Sequence, residues 1–387
     1  MIAKRTREGL KSGSVIRAMF TEGAAMAEQF GRENVYDYSL GNPATPAPEQ
    51  IRGEIIRLAE ESDPLALHGY MNNAGFPEVR EAVAKNLNER FSSSYTGEQI
   101  VMTVGAAGGL NVALRTILDP GDEVIVFAPY FGEYRNYIEN FDGTVVEAQP
   151  DPETFEPDLK DFRAKLSERT KAVIINTPNN PTGAVYSKET LRGIAESLTE
   201  AEGRFAKEIY LISDEPYREL VYDGMRQHLV ASFYPDTISV YSFSKSLSLP
   251  GERIGYVLVP KEAYESEKLY AAVAGPGRAL GYVCAPSMMQ KVIARCVGQT
   301  GDVELYKKNR DLLYKGLTKI GYHCFKPQGA FYMFVEALEE SADAFCERAK
   351  EENLLIVSGS GFGCSNYVRI SYCVDEDMIQ RSFAAFQ

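Results

Sequence analysis

A chain of 387 residues with 44% hydrophobic and 25% charged residues is long enough for one large α/β body with a smaller partner domain, in the balance of a globular protein. Its net charge of −13, from 41 basic and 54 acidic residues, and the lack of any basic block argue against nucleic acid, because neutralising phosphates needs clustered Lys and Arg. No uninterrupted apolar run reaches membrane-spanning length, and the opening MIAKRTREGLKSGS is charged where a secretory signal is apolar, so no membrane partner and a cytoplasmic location are expected.

Residues 14–30 space apolar side chains at helical intervals behind Ser14, a candidate cap. The stretch Tyr36-Asp37-Tyr38-Ser39-Leu40 then meets the breaker Gly41-Asn42-Pro43. Residues 49–61 and 76–91 predict helices, with the turn-rich HGYMNNAG loop between them. From about residue 100, short apolar runs alternate with amphipathic helical patterns, the signature of a parallel α/β sheet.

Five of those runs share one polarity. The run 100–104 leads into Gly105-Ala106-Ala107-Gly108-Gly109, and 124–127 into Ala128-Pro129-Tyr130-Phe131. The run 173–175 leads into NTPNNPTG at 176–183, and 209–212 into Ser213-Asp214-Glu215-Pro216-Tyr217. The fifth, 238–241, leads into SFSKSLSLPGERIG at 242–255. A sixth run, 254–259, carries Arg253 at its start, so an antiparallel strand would bring that residue to the same edge. Open α/β sheets bind ligands past the carboxyl ends of their strands. Beyond about residue 285 the pattern becomes α+β, with helices at 286–297, 302–320 and 341–352 and strand-like runs at 330–335, 354–357 and 367–372.

Each strand end has a chemical and a plain reading. The glycine-rich opening of a helix at Gly105, Ala106 and Ala107 offers free N–H groups to a phosphate; a dinucleotide fingerprint is the rival, but the spacing is not GxGxxG. Phe131 either stacks on a flat ring or fills core. Asn180 either belongs to a simple Asn-Pro turn or bonds a phenolic oxygen. Asp214 is either a helix cap or the partner of a protonated ring nitrogen, with Tyr217 packed nearby or bonding that same phenolic oxygen. Lys245, among Ser242, Ser244 and Arg253, is either a charged residue on a Ser-rich turn or an amine of depressed pKa beside a phosphate cradle. A nucleophilic lysine next to phosphate donors is what pyridoxal 5'-phosphate requires.

The ordered set NNPTG, SDEPY and SFSKSLSLPGERIG resembles the fold-type I pyridoxal-phosphate enzymes, specifically the class I/II aminotransferases related to aspartate aminotransferase. The likeness runs from the GNP glycine, Gly41, to the arginine of YVRIS, Arg369. It implies an α/β fold in which a large, mostly parallel-sheet domain (46–284) carries the cofactor. A smaller α+β domain (285–387) would pack with an N-terminal segment (1–45).

The resemblance also assigns roles. It makes Lys245 the lysine that holds the cofactor as a Schiff base and shuttles the proton, and Asp214 the partner of the pyridine nitrogen. Tyr217 and Asn180 would bond the ring oxygen, and Phe131 would stack. Ser242, Ser244, Arg253 and the Gly105-Ala106-Ala107 backbone would hold the phosphate. Relatives often show Ser, Thr or Lys in that loop, so here the cradle leans more on backbone N–H groups. Gly41 and Arg369 would clamp the substrate carboxylate, beside Asn180. Tyr70 would reach the phosphate of another subunit, which implies a homodimer with shared sites.

The implied activity is ping-pong transfer of an amino group between an L-amino acid, aspartate or another acidic donor first, and a 2-oxo acid. Aromatic or alanine specificity, a C–S lyase and a decarboxylase are the alternatives on the same fold. A nicotinamide-dependent dehydrogenase on a doubly wound sheet is the rival outside it, and a non-catalytic regulator that keeps the fold is the last. Arg17, Arg115 and Arg278 are candidates for reading a side-chain carboxylate, or plain surface arginines. The six cysteines lack CxxC spacing and the chain has three histidines, so buried free thiols and no metal are expected.

Overall fold

The structure, a computed structural model, describes residues 2, 3, 7 and 15–387. Its centre is a seven-stranded sheet in the order β2-β8-β7-β6-β5-β3-β4. The strands are β2 (Ile100–Thr103), β3 (Glu123–Phe127), β4 (Thr144–Ala148), β5 (Thr170–Asn176), β6 (Tyr210–Asp214), β7 (Thr237–Ser242) and β8 (Gly255–Leu258). All run parallel except β8, which is antiparallel to both β2 and β7. Strands β2, β3, β6, β7 and β8 are buried along their whole length, as expected where helices cover both faces of a parallel sheet. The edge strand β4 is partly exposed and is missing from the sequence reading, because TVVEA is short and only partly apolar.

Helices form where capping and periodicity agree. The helix Lys188–Phe205 starts at Ser187, whose hydroxyl accepts from the Thr190 N–H, and buries Leu191, Ile194 and Leu198 at helical spacing. The helix Val15–Phe30 occupies the expected stretch, while the proposed cap Ser14 lies outside the described residues. The helices Glu49–Glu61 and Pro77–Phe91 also form as read, with a further short helix, Pro64–His68, in the loop between them.

A second, three-stranded antiparallel sheet has the order β11-β12-β9, from β9 (Tyr332–Glu336), β11 (Val357–Ser358) and β12 (Tyr367–Ser371). The apolar run at 354–357 does not form one strand. It divides at Ile356: β10 (Leu354–Leu355) pairs in parallel with β1 (Tyr36–Asp37), and β11 joins the three-stranded sheet. One hydrophobic cluster links this region to the main sheet, since Tyr217 and Leu220, just past β6, pack with Tyr306, Phe331 and Tyr332. That cluster aims the β6 loop at the β12 strand.

The cysteines depart in part from expectation. All six are free, but only Cys296, Cys346 and Cys373 are buried; Cys284, Cys324 and Cys364 are half-buried. Of the half-buried three, Cys324 and Cys364 lie in loops packed against the edges of core clusters. Among the described residues no helix is long and apolar enough to cross a membrane.

The antiparallel strand β8 fits only because it begins with glycine. A methyl group on Gly255 would lie 2.2 Å from the Tyr241 carbonyl oxygen and 3.0 Å from the Gly105 backbone. Neither neighbour is a side chain that can swing away. Gly255→Ala should therefore cost about 2 kcal/mol of stability through overpacking, read as a lowered urea midpoint with an unchanged slope.

Candidate active site

The loops that end β2, β5, β6 and β7 converge on one cleft of about 370 Å³, closed on the other side by β12. Parallel strands explain the convergence, because each delivers its C-terminal loop to the same edge.

Lys245 sits in the short helix Phe243–Ser246, capped by Ser242, whose hydroxyl accepts from the Ser244 N–H. The lysine lines the cleft and its Nζ donates to the Gly41 carbonyl oxygen at 2.7 Å. Its side chain is half-open to the cleft. Enclosure pushes its pKa down to about 8, helped by the positive charges of Arg369 and Arg253 and opposed by Cys373.

Asp214 ends β6 and is 5% exposed. Its Oδ2 accepts a 2.5 Å hydrogen bond from the Tyr134 hydroxyl, and its buried Oδ1 has no partner. Burial pushes its pKa up to about 7, with a smaller push from Glu215, against the lowering effect of the Tyr134 bond. An unpartnered oxygen on a buried carboxylate is costly unless something occupies the space in front of it.

Arg253 faces the same cleft from a left-handed backbone, φ 52°. The helix Gly105–Ile117 opens with Ala106 and Ala107 on the cleft wall, beside Ser242 and Ser244. The two serine hydroxyls lie 2.7 Å apart. Together these groups make a donor-rich, cationic end with free helix N–H groups.

The opposite end belongs to Arg369, in the middle of β12 and 1% exposed. Its Nη1 donates to Asn180 Oδ1 at 3.0 Å and its Nη2 to the Ser39 carbonyl at 2.7 Å, while the buried Nε has no partner. Asn180 thereby turns its oxygen to the arginine, and its residue lines the cleft. Tyr217 lies between the two ends, its hydroxyl 3.1 Å from that of Tyr332. Burial, then Tyr332, hold the Tyr217 phenol well above its ordinary pKa, so it stays protonated. Gly41 permits this arrangement: a methyl there would sit 1.8 Å from the Tyr332 hydroxyl oxygen.

Phe131 also lines the cleft, edge-to-face with Tyr134 at 5.6 Å. Of the residues singled out from sequence, Gly105 is buried behind the cleft wall against Arg253, and Tyr70, 94% exposed, does not line its own chain's cleft. Arg115 and Arg278 are exposed and do not line it either, and the Arg17 side chain lies outside the described residues. The sequence reading missed Tyr134, Asn176 and Tyr332. Asn176 fixes two neighbours, donating to the Asp214 carbonyl at 2.8 Å and accepting the Asn180 N–H at 2.7 Å. Tyr134 lies one helical turn past Phe131, the only local hint that the two act on one site.

The chain matches the sequence profile of the family "Aminotransferase class I and II" over residues 33–386. It is similar to the aspartate/prephenate aminotransferase of Thermus thermophilus, 32% identical over 353 residues, 90% of this chain and 89% of that protein. The aspartate aminotransferase of Thermotoga maritima is 34% identical over 347 residues, 88% of this chain and 87% of its own length. Among solved structures, an amino transferase from Eubacterium rectale is 50% identical and superposes with a TM-score of 0.97, covering 100% of this chain and 98% of that one. The Thermus thermophilus aspartate aminotransferase with maleate superposes with a TM-score of 0.89 at 29% identity, covering 100% and 98%.

The charge state of the cleft sets a pH signature for the unliganded protein. From the ordinary carboxylate range up to about 7, the unfolded chain has released a proton that folded Asp214 keeps. Stability therefore falls as pH rises through that window, by about 1.4 kcal/mol per pH unit at most. Lys245 is protonated in both states below about 8 and adds no slope there. Asp214→Asn should flatten the fall, measured as urea midpoints across the window; an equal slope in the variant contradicts the assignment.

Proposed function

The chain belongs to the class I and II aminotransferases, and we propose that its cleft holds pyridoxal 5'-phosphate and moves an amino group from an acidic L-amino acid to a 2-oxo acid. One observation carries the reading: Lys245 and Asp214, whose buried Oδ1 has no partner, line a single cleft with phosphate donors at one end and a buried arginine at the other. That donor set fits the cofactor. The amine suits its aldehyde, the carboxylate its ring nitrogen, and Arg253, Ser242, Ser244 and the Ala106-Ala107 N–H groups its phosphate. Phe131 supplies a face for the ring, and Tyr217 and Asn180 supply donors for its oxygen.

When bound, the cofactor supplies an electron sink for the charge left at the substrate Cα. The remaining work falls to the protein. Arg369 and the Gly41 backbone hold the substrate carboxylate, and thereby orient the Cα–H bond toward Lys245. Lys245, with a pKa near 8, is close enough to neutral pH to take the proton from Cα and give it back nearby. Asp214 holds a positive charge on the ring nitrogen, which it can do only as a carboxylate. Tyr217 stays a donor throughout because its phenol does not ionise in the working range.

The acidic donor is supported by the names of the Thermus thermophilus and Thermotoga maritima relatives and by the dicarboxylate maleate in the Thermus thermophilus structure. Arg253 and Arg369 serve the phosphate and the α-carboxylate, and Arg115 and Arg278 stand outside the cleft. A second carboxylate would then be met by a cation from a neighbouring subunit, for which the exposed Arg278 is the candidate. The exposed Leu65 and Tyr70, at 84% and 94%, fit a subunit contact on the same loop, so the working form is a homodimer.

Lys245→Ala should abolish both turnover and the borohydride-fixed mass increase of the cofactor on the chain, while amino-donor scanning of the native protein should give fastest half-reactions with aspartate or glutamate. Appreciable transamination by the variant would refute the site; faster reaction with alanine or phenylalanine would refute only the donor. Sedimentation of the active protein should give twice the chain mass. An active monomer would remove the role assigned to Tyr70.

A further inference from the structure

We propose that Tyr134 is the positioning residue that sets the Asp214 carboxylate for the cofactor ring nitrogen, and that it braces the stacking residue Phe131 at the same time. The inference rests on the reading of the cleft as a pyridoxal-phosphate site.

The geometry is specific. Tyr134 lies in the helix Glu133–Glu139 and is 1% exposed. Its hydroxyl donates to Asp214 Oδ2 at 2.5 Å, across 80 residues of sequence. Among the described residues this is the one side-chain bond the carboxylate makes; the other oxygen, Oδ1, is buried and unpartnered. A carboxylate tied at one oxygen cannot rotate freely about its last bond. Oδ2 is thus occupied by a donor inside the protein, and Oδ1 is left for a donor arriving in the cleft.

The chemistry of the donor matters as much as its place. Burial, with Asp214 beside it, holds the Tyr134 phenol well above its ordinary pKa. The hydroxyl therefore keeps its proton and remains a donor. A donated hydrogen bond favours the charged carboxylate and opposes the burial that would neutralise it. Without it, the proton shared between the ring nitrogen and Asp214 would move toward the acid, and the ring would lose its positive charge.

Tyr134 also touches the second ring contact. Its ring meets Phe131 edge-to-face, 5.6 Å between centroids at 84°. Phe131 leads directly into the Tyr134 helix, and the Tyr134 N–H donates to the Phe131 carbonyl at 3.0 Å. One side chain thus fixes a contact to the edge of the bound ring and a contact to its face.

Tyr134→Phe separates the two roles, since it keeps the ring against Phe131 and removes only the hydroxyl. The test compares the binding of pyridoxal 5'-phosphate with that of its deaza analogue, in which a carbon replaces the ring nitrogen. Both are titrated into cofactor-free native and variant protein. The expected result is a loss of about tenfold in affinity for pyridoxal 5'-phosphate, the size of one charge-assisted hydrogen bond, with the analogue bound equally by both proteins. An equal loss for both ligands means a merely structural role and overturns the inference, as does no loss for either. Failure of the native protein to bind either ligand overturns the cofactor reading instead.

Asp214→Asn provides a control that does not depend on how well the single variant folds. With the carboxylate gone, adding Tyr134→Phe should bring no further loss of pyridoxal 5'-phosphate affinity. A full additive loss in the double variant contradicts the proposal.

Discussion

The rest of the structure depends on keeping two groups of opposite charge in one cleft without letting them pair. Lys245 hydrogen-bonds a backbone carbonyl, and Asp214 hydrogen-bonds a phenol. Joined to each other, they would satisfy both charges and fill the space between them. Held apart, each suffers the cost of enclosure, and the pKa values move toward one another, Asp214 up to about 7 and Lys245 down to about 8. A protein selected only for stability would close such a gap. Here Oδ1 and the Arg369 Nε stay buried without partners, an arrangement that costs stability.

The sheet makes the separation possible. Asp214 is the last residue of β6 and Ser242 the last of β7, on neighbouring parallel strands. Lys245 stands three residues beyond Ser242, lifted by one turn of helix, so the amine and the carboxylate start from adjacent strands but diverge above them. The reversed strand β8 then returns Arg253 to the same edge, because Gly255 pairs with Ser242. Its left-handed backbone is the strain of a turn that must end there. Arg369 comes from a different sheet altogether. Its two anchors, Asn180 and Ser39, belong to the loop after β5 and to the segment after β1, so three distant parts of the chain meet at one guanidinium.

This division explains what was legible in the sequence. The strand-end groups Asn180, Asp214, Tyr217, Lys245 and Arg253 announce themselves because each follows a short apolar run, and the run and the group are adjacent in sequence. The shared polarity of the runs was enough to place them at one edge. Tyr134 offers no such mark: it is an ordinary tyrosine on a seven-residue helix, and its importance arises only from a contact 80 residues away. Tyr332 was hidden for the same reason, whereas Asn176 stood at the end of β5 in the NTPNNPTG stretch and was overlooked beside Asn180. The division of the 354–357 run between two sheets was also invisible, since four consecutive apolar residues have no period that distinguishes one strand from two. Local pattern reports which residues are buried; it does not report which buried residues meet.

The segment after β1 ties these threads together. Ser39 gives its N–H and hydroxyl to Asp37 Oδ1 at 2.9 and 2.6 Å, which turns its carbonyl to Arg369, and two residues later Gly41 presents its carbonyl to Lys245. A backbone carbonyl is an unusual choice of partner for a lysine, and the choice has a consequence. A carboxylate there would stabilise the ammonium form and raise the pKa; a carbonyl accepts from the neutral amine as well as from the cation, so it orders the side chain with far less bias toward the charged form. The same carbonyl needs a glycine above it, because any side chain at position 41 would collide with Tyr332 and break its contact with Tyr217. A single residue without a side chain thus holds the amine in place, leaves it reactive, and keeps the two tyrosines in register.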